Sequence, residues 1–231
     1  MVADSRYCSL RPAQSMTDRL ARGEARNQVA EPVVGQEFAG YQVLDLLGKG
    51  GMGAVYSVSN PHLDRTEALK SLALDSGGDF ARRFAQEAKT VASLDHPNIV
   101  TIHHYGIDDG TPWFTTPHLT GRDLTGAAPL PAHEVLEVVS RVADALDYAH
   151  GRGVVHRDIK PGNVLIQRTD AGRINRVTVL GFGIARLADA TTVTATNTLV
   201  GTLAYSAPET IIGEQATAAA DQYSLACTAY Q

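Results

Sequence analysis

A glycine-rich run between two strand-like segments limits the folds that this chain can adopt. Residues 41–47 predict one strand, residues 48–53 interrupt it with the spacing G-x-G-x-x-G, and residues 54–58 resume with apolar and polar side chains roughly alternating. Dinucleotide-binding folds use similar glycines, but they require a helix after the last one. A strand there instead predicts a hairpin whose backbone N–H groups can approach phosphate oxygens without Cβ interference. An ordinary glycine-rich hairpin is the alternative interpretation.

The hydrophobic period then changes from that of strands to that of helices. A third strand is predicted at 67–72, a helix at 79–94, and further strands at 99–105 and 112–116. Beyond them, apolar residues recur every three or four positions from 131 to 151, which predicts a long amphipathic helix. The pattern indicates a strand-rich N-terminal lobe followed by a helix-rich C-terminal lobe, an α+β arrangement.

Composition argues against several classes of partner. The net charge of −5 over 231 residues does not favour binding to nucleic acid or to an anionic membrane. There is no run of about 18 apolar residues, so no membrane segment is expected. Cys8 and Cys227 are far apart and match no metal-binding spacing, so a reducing, cytoplasmic location is expected. Residues 1–37 carry few large apolar side chains and are predicted to be a mobile leader, with Met16 as an alternative start.

Residues 156–163, His-Arg-Asp-Ile-Lys-Pro-Gly-Asn, place more chemistry in one stretch than any other part of the chain. The proline and glycine near its end oppose a helix, so a loop is predicted. Asp158 can accept a proton from a hydroxyl group, Lys160 can neutralise phosphate charge, and Asn163 can offer an amide oxygen to Mg²⁺. A solvated, charged turn is the alternative to a catalytic loop.

This string resembles the catalytic loop of eukaryotic-type, or Hanks-type, bacterial serine/threonine protein kinases, whose pattern is H-R-D-x-x-x-x-N. The lysine two places after the aspartate is similar to the serine/threonine-specific branch of that family. The resemblance implies a bilobal α+β protein kinase fold with an N-lobe at 38–117 and a partial C-lobe at 118–231. It also implies protein substrates, ATP and Mg²⁺, with Asp158, Lys160 and Asn163 as catalytic residues and Asn163 as a metal ligand.

The same resemblance assigns ATP-binding residues. Lys70, which ends the Glu-Ala-Leu-Lys string of the third strand, is similar to the lysine that pairs with the α- and β-phosphates, and Glu87 is similar to its ion-pair partner. At the joint between the lobes, Thr116 would guard the back of the pocket, while Pro117 would offer its carbonyl group and Leu119 its N–H to adenine. The glycine-rich hairpin contributes the remaining expected ATP-binding residues, which are Leu47, Gly48, Lys49, Gly50, Gly51, Met52, Gly53, Ala54 and Val55.

Downstream segments extend the resemblance. Residues 201–209 end in Ala-Pro-Glu and resemble the substrate-docking segment of the family. The hydroxyl-rich stretch 191–198 would be the activation segment, and Arg157 is available to pair with a phosphate there. A polar loop that is never modified is the alternative for 191–198. Asp221 resembles the aspartate at the start of a central helix that organises the catalytic loop.

The chain departs from the family pattern in two places. After the strand predicted at 177–180, kinases carry Asp-Phe-Gly, whose aspartate holds Mg²⁺, whereas this chain carries Gly181, Phe182 and Gly183. Because Mg²⁺ requires hard oxygen ligands, phosphoryl transfer is expected to be slow or absent, while ATP binding can persist. The sequence also ends at Gln231, inside the predicted central helix, so a C-terminally truncated kinase domain is expected.

The sequence therefore predicts an ATP-dependent protein serine/threonine kinase that transfers the γ-phosphoryl group to Ser and Thr hydroxyls. The alternative is a catalytically impaired pseudokinase that binds nucleotide and acts as a scaffold or regulator, and Gly181 favours it. A third interpretation, a decayed product that does not fold stably, follows from the end at Gln231.

Overall fold

The computed structural model of the chain describes residues 31–50, 53–73, 78–127, 129–182 and 203–231. Of the predicted leader, only residues 31–37 are described. Gly51, Met52, Gly183, the stretch 191–198 and residues 201–202 of the segment 201–209 lie outside the described residues, so the expectations placed on them stay predictions.

The N-terminal part contains a six-stranded antiparallel sheet with the strand order β1-β2-β3-β4-β6-β5. Its strands are β1 (Glu37–Phe38), β2 (Tyr41–Gly50), β3 (Gly53–Asn60), β4 (Arg65–Leu72), β5 (His104–Asp108) and β6 (Thr111–Pro117). The strands predicted at 41–47, 54–58, 67–72 and 112–116 are confirmed, and each extends by one to three residues beyond its predicted ends.

The glycine-rich segment forms a hairpin between β2 and β3, as its spacing predicts. The two strands pair from Gln42 opposite Ser59 to Gly50 opposite Gly53. Gly53 has a φ of +130°, and a Cβ on it would lie 1.9 Å from the carbonyl oxygen of Ser71 on β4. The backbones of β3 and β4 are therefore so close at this point that only glycine, which has no Cβ, fits at position 53.

The sheet curls until its two edges meet. The Tyr41 hydroxyl on β2 lies 2.6 Å from Nδ1 of His104 on β5, and the tyrosine ring packs edge-on against Trp113 at 5.6 Å between centroids. The N–H of Ala39 donates to Asp108, also on β5, at 3.3 Å. The enclosed core consists of Phe38, Tyr41, Val43, Ala54, Tyr56, Val58, Leu69 and Trp113.

Helix α1 (Gly78–Ala92) packs on the other face of the sheet and joins a second, larger core. Its buried residues Phe84 and Val91 share that core with Val142 and Leu146 of the C-terminal part, so the two parts are packed together. The helix predicted at 79–94 is confirmed, apart from the last two residues.

The strand predicted at 99–105 is wrong for its first five residues. Only its last two residues belong to β5, whereas Ile99 forms an isolated parallel bridge with Val179 in the C-terminal part. The N–H of Val100 donates to the Val179 carbonyl at 3.0 Å, and the N–H of Val179 donates to the Asn98 carbonyl at 2.8 Å. The apolar pattern there reflects burial between the two parts rather than pairing within the sheet.

The C-terminal part combines helices with a second antiparallel sheet of order β7-β8-β9. Its elements are β7 (Arg122–Asp123), α2 (Ala132–His150), a 3-10 helix (Pro161–Asn163), β8 (Val164–Arg168), β9 (Ile174–Val179), α3 (Pro208–Ile211) and α4 (Ala218–Tyr230). The prediction that residues 156–163 contain no helix is therefore wrong for the last three, because proline is tolerated in the first turn of a helix. The long helix predicted at 131–151 is confirmed as α2. Helix α4 begins three residues before the predicted start at Asp221, because the Thr217 side chain accepts the N–H of Ala219 and caps it.

Within the described ranges, no helix combines the length and apolar character needed to span a membrane.

Two glycines of the hairpin are expected to differ sharply in their tolerance of a side chain. Gly53→Ala places a Cβ against the Ser71 carbonyl at a positive φ, so we expect it to lower the free energy of unfolding by more than about 2 kcal/mol, or at least about 4 °C in Tm. Gly48→Ala is the control, because no atom lies within 4 Å of the point that its Cβ would occupy. Thermal unfolding measures both, and equal Tm values for the two variants would contradict the close approach of β3 to β4.

Candidate active site

A cleft of about 1330 Å³ lies between the curled sheet and the C-terminal part. The hairpin contributes Leu47, Gly48 and Val55 to its wall, and β4 contributes Lys70. The connection between the two parts supplies further wall, and the segment after the 156–163 loop supplies the floor. Those remaining lining positions include Thr116, Pro117, Leu119, Asn163, Leu165 and Gly181.

The 156–163 loop brings its three predicted catalytic side chains together beside the cleft. The Lys160 ammonium group contacts both carboxylate oxygens of Asp158, at 2.9 Å to Oδ1 and 2.8 Å to Oδ2. The amide nitrogen of Asn163 donates to the Asp158 backbone carbonyl at 2.6 Å and to its Oδ2 at 3.0 Å. The Asp158 carboxylate is thus held in one orientation by a charged donor and a polar donor.

A buried carboxylate on α4 holds the start of this loop. Oδ2 of Asp221 accepts the N–H of His156 and Oδ1 accepts the N–H of Arg157, each at 2.7 Å. Nε2 of His150 donates to the same carboxylate at 2.7 Å. Arg157 adopts a φ of +72°, a conformation that costs energy for a residue with a Cβ. The expected contact between Asp221 and the loop is therefore present, and its charge-assisted hydrogen bonds stabilise the strained residue.

His156 connects the loop to the segment that follows β9. Its Nδ1 accepts the N–H of Asp158 at 3.2 Å, and its Nε2 donates to the Leu180 carbonyl at 2.8 Å. Burial lowers the pKa of His156, although the nearby Asp221 charge opposes that shift, so the imidazole is neutral at pH 7. Its ring also packs edge-on against Phe182 at 4.5 Å between centroids. The neutral ring with its proton on Nε2 fits both hydrogen bonds.

Lys70 is a half-buried cation in the wall of the cleft. Burial lowers its pKa, the Asp158 charge raises it, and the Lys160 charge lowers it. Its ammonium group makes no hydrogen bond or ion pair with any residue that the structure describes. The ion pair with Glu87 that the resemblance implies is not formed, and Glu87 interacts with other groups. Lys70 is therefore placed to receive an anion from the cleft.

The predicted hinge and hairpin residues are only partly gathered at the cleft. Thr116 and Pro117 pair with β4, and both line the cleft. Lys49 is exposed and its ammonium group binds Glu31 at 2.9 Å, away from the cleft wall. The predicted hairpin residues that are described but do not line the cleft also include Gly50, Gly53 and Ala54.

Several lining residues escaped the sequence-based prediction. Ala68 lies two positions before Lys70 on β4, and this spacing puts both side chains on one face of the strand. Leu165 lies next to the start of β8, two residues after the predicted ligand at 163. Val100 and Leu180 also line the cleft. Both fall within predicted strands, at 99–105 and 177–180, but Val100 precedes β5 and Leu180 follows the end of β9 at Val179.

Comparisons with known proteins agree on one family. The family model described as protein kinase domain matches residues 41–231. This chain belongs to the protein kinase family. The serine/threonine-protein kinase PknJ of Mycobacterium tuberculosis is 46% identical over 202 residues, which cover 85% of this chain and 34% of PknJ. The serine/threonine-protein kinase PrkC of Bacillus subtilis is 37% identical over 206 residues, which cover 86% of this chain and 31% of PrkC.

Solved structures give the same result for the fold. One crystal structure of the Mycobacterium tuberculosis PknI kinase domain superposes with a TM-score of 0.68 at 38% identity, over 86% of this chain and 74% of that domain. A second crystal structure of the same domain gives a TM-score of 0.67 at 37% identity, over 87% of this chain and 76% of that domain. The predicted bilobal protein kinase fold is confirmed. The kinase chain spans about a third of the length of PknJ and PrkC.

Kinases of this family generally use ATP and Mg²⁺, and the two ligands fit this site unequally. The cleft offers apolar walls and an ammonium group without a partner among the described residues, which suit a nucleoside triphosphate. For Mg²⁺, the Asn163 amide oxygen faces position 181, where glycine supplies no ligand. The described residues contain no group of three or more His, Cys, Asp or Glu side chains that could hold a metal ion. The residues do not fit Mg²⁺ as the family holds it.

The anchoring of the kinase loop by Asp221 can be measured. Asp221→Asn removes the charge and leaves a single side-chain oxygen for two backbone N–H donors, so we expect a loss of about 3 kcal/mol in the free energy of unfolding. Denaturant-induced unfolding measures this loss. Glu214→Gln is the control, because its side chain is exposed, and it should change stability by less than about 0.5 kcal/mol. Similar stability of both variants would show that the loop does not depend on Asp221.

Proposed function

We propose that this chain is a serine/threonine protein kinase domain that acts in the cytoplasm and transfers the γ-phosphoryl group of ATP to Ser and Thr side chains of proteins. One observation carries the proposal. Asp158, Lys160 and Asn163 contact one another beside a cleft whose wall contains the Lys70 ammonium group. A positioned carboxylate with cations nearby matches what phosphoryl transfer to a hydroxyl group requires.

Each of these side chains has a distinct part in the proposed reaction. Asp158 accepts the proton of the attacking hydroxyl group, and Lys160 and Asn163 orient its carboxylate. Lys160 then stabilises the negative charge on the phosphoryl group during transfer. Lys70 binds the α- and β-phosphates. The position of Lys160, two residues after Asp158, supports Ser and Thr over Tyr as the acceptors.

The adenine end of ATP is assigned to the other half of the cleft. Val55 and Ala68 line it from the sheet side and Leu165 lines it from the C-terminal side, which gives an apolar slot for a flat ring. The Pro117 carbonyl and the Leu119 N–H are the proposed polar contacts, and both residues line the cleft. Proline at 117 has no N–H to offer, so the donor comes from Leu119.

A catalytically impaired pseudokinase is the second candidate. Gly181 favours it, because the carboxylate that would hold Mg²⁺, the ion that neutralises phosphate charge during transfer, is missing. Removal of one preorganised charge stabiliser typically lowers kcat by about 10²–10³. The absence of an ion pair between Lys70 and Glu87 in the described structure also favours it. In this case the protein binds ATP and acts as a scaffold or regulator without rapid phosphoryl transfer.

Phosphorylation assays on four proteins separate the two candidates. Autophosphorylation with labelled ATP is measured for the wild type, Lys70→Met, Gly181→Asp and the control Lys89→Met, which changes an exposed lysine on α1. A kinase requires activity in the wild type and in Lys89→Met, with a loss of about 10²-fold or more in Lys70→Met. Gly181→Asp should raise the rate by about 10²–10³.

The pattern of activities decides the outcome. Activity that appears only in Gly181→Asp establishes the pseudokinase. Wild-type activity that survives Lys70→Met would contradict the assignment of the cleft as the ATP site. Thermal unfolding of each variant without ATP verifies that all four chains are folded, because both candidates require a cooperative transition.

A further inference from the structure

The described lining of the cleft carries more positive than negative side chains. Its basic residues are Lys70, Arg122 and Arg168, and its acidic residue is Asp123. Arg168 is engaged by Glu134, at 2.6 Å between Nη2 and Oε2. Lys70 and Arg122 therefore remain as cations that a bound anion can neutralise, and only one carboxylate of the described lining opposes that anion.

Position 181 lies beside the Asn163 amide group, where a metal-binding side chain would fit, but glycine supplies no ligand atom there. Gly181 has a φ of +79°, and a Cβ on it would lie 3.8 Å from Oδ1 and 3.9 Å from Cγ of Asn163, with nothing closer. A Cβ at 181 would therefore make ordinary van der Waals contact with the Asn163 amide group, so a side chain fits there beside the amide oxygen. Aspartate and asparagine tolerate this left-handed backbone region better than most residues.

Asp158 does not replace the missing carboxylate. Both of its oxygens are occupied by Lys160, and Oδ2 also accepts the Asn163 amide. A metal ion on Asp158 would have to displace the Lys160 ammonium group and face its charge. The side-chain ligand that this part of the cleft offers to a divalent ion is therefore the neutral Asn163 oxygen. Among the described residues that line the cleft, Asp123 has the one carboxylate. Its Oδ1 already accepts the N–H of Thr125 at 2.8 Å.

We propose that this cleft binds ATP in its metal-free form, with Lys70 supplying positive charge at the phosphates and Arg122 adding to the positive charge of the cleft, so that Mg²⁺ is not required for binding. This inference rests on the proposed function, because it takes ATP as the ligand. It adds that the bound species is ATP without Mg²⁺. Mg²⁺ cancels part of the negative charge that attracts the nucleotide to these cations, and it gains no carboxylate ligand at 181 in return.

Calorimetric titration of the full chain with ATP tests this directly. The wild type is titrated once in excess EDTA and once in excess Mg²⁺, at equal ionic strength. We expect ATP to bind in EDTA at least as tightly as in Mg²⁺. In Gly181→Asp the order should reverse, with ATP binding about tenfold or more tighter in Mg²⁺, because a carboxylate then faces the Asn163 oxygen.

Matched variants isolate the charge at position 181. Gly181→Asn has the shape and backbone cost of Gly181→Asp without its charge, so its two affinities should stay within about threefold of each other. Lys70→Met should weaken ATP binding about tenfold or more in both buffers. The second result locates the bound nucleotide at this cleft.

The possible failures are distinguishable. If wild-type ATP binding is lost or falls about tenfold or more in EDTA, the metal-free form is wrong while nucleotide binding stands. If the wild type binds ATP in neither buffer, the proposed function fails and the inference fails with it. If Gly181→Asp and Gly181→Asn respond equally to Mg²⁺, the missing carboxylate does not explain the behaviour, and the proposal is overturned.

Discussion

The Asp221 carboxylate anchors the loop at 156–163, and the arrangement of the candidate active site depends on this contact. It is fully buried on α4, and it accepts the N–H groups of His156 and Arg157 together with the ring N–H of His150. A buried carboxylate costs a large free energy unless it is hydrogen-bonded. Movement of the three donors away from Asp221 is therefore strongly unfavourable. The backbone conformation of Arg157, at a positive φ, persists because two neighbouring N–H groups point at one carboxylate. The direction of Asp158 follows from that conformation.

Two further sets of contacts start from this loop. Lys160 and Asn163 bind the Asp158 carboxylate, and His156 donates a hydrogen bond to the Leu180 carbonyl, one residue before Gly181. Position 181 is therefore held in the orientation that presents a side chain to Asn163, although the residue there has none. Glycine at 181 therefore removes a possible metal ligand but leaves the surrounding backbone arrangement in place. For this reason the cleft can keep its shape although it has no carboxylate at 181 for Mg²⁺.

Much of this could be predicted from local pattern. Alternation predicted β3, because that strand has a buried face, and the three- and four-residue period predicted α2. The chemistry of the 156–163 loop was readable because its side chains act within eight consecutive residues. Ile99 was misassigned because burial between two lobes and burial within a sheet leave the same apolar signature. The burial of Glu67 could not be predicted from its residue type, because a charged residue in a strand usually faces solvent, yet Glu67 is fully buried and bound by Arg65 and Asn60.

Residue types at fixed spacings were enough to establish the family, the succession of strands and helices, and the groups expected around the phosphates, including the glycine at 181. Such properties are local, because each depends on neighbours along one chain. The contact of Asp221 with the 156–163 loop was expected from the resemblance, and its hydrogen bonds are present in the folded chain. Two other properties became visible only in the folded chain: Lys70 lies near the Asp158 charge, and position 181 faces the Asn163 oxygen. They depend on distances between segments remote in sequence, and the packing of the two lobes sets those distances.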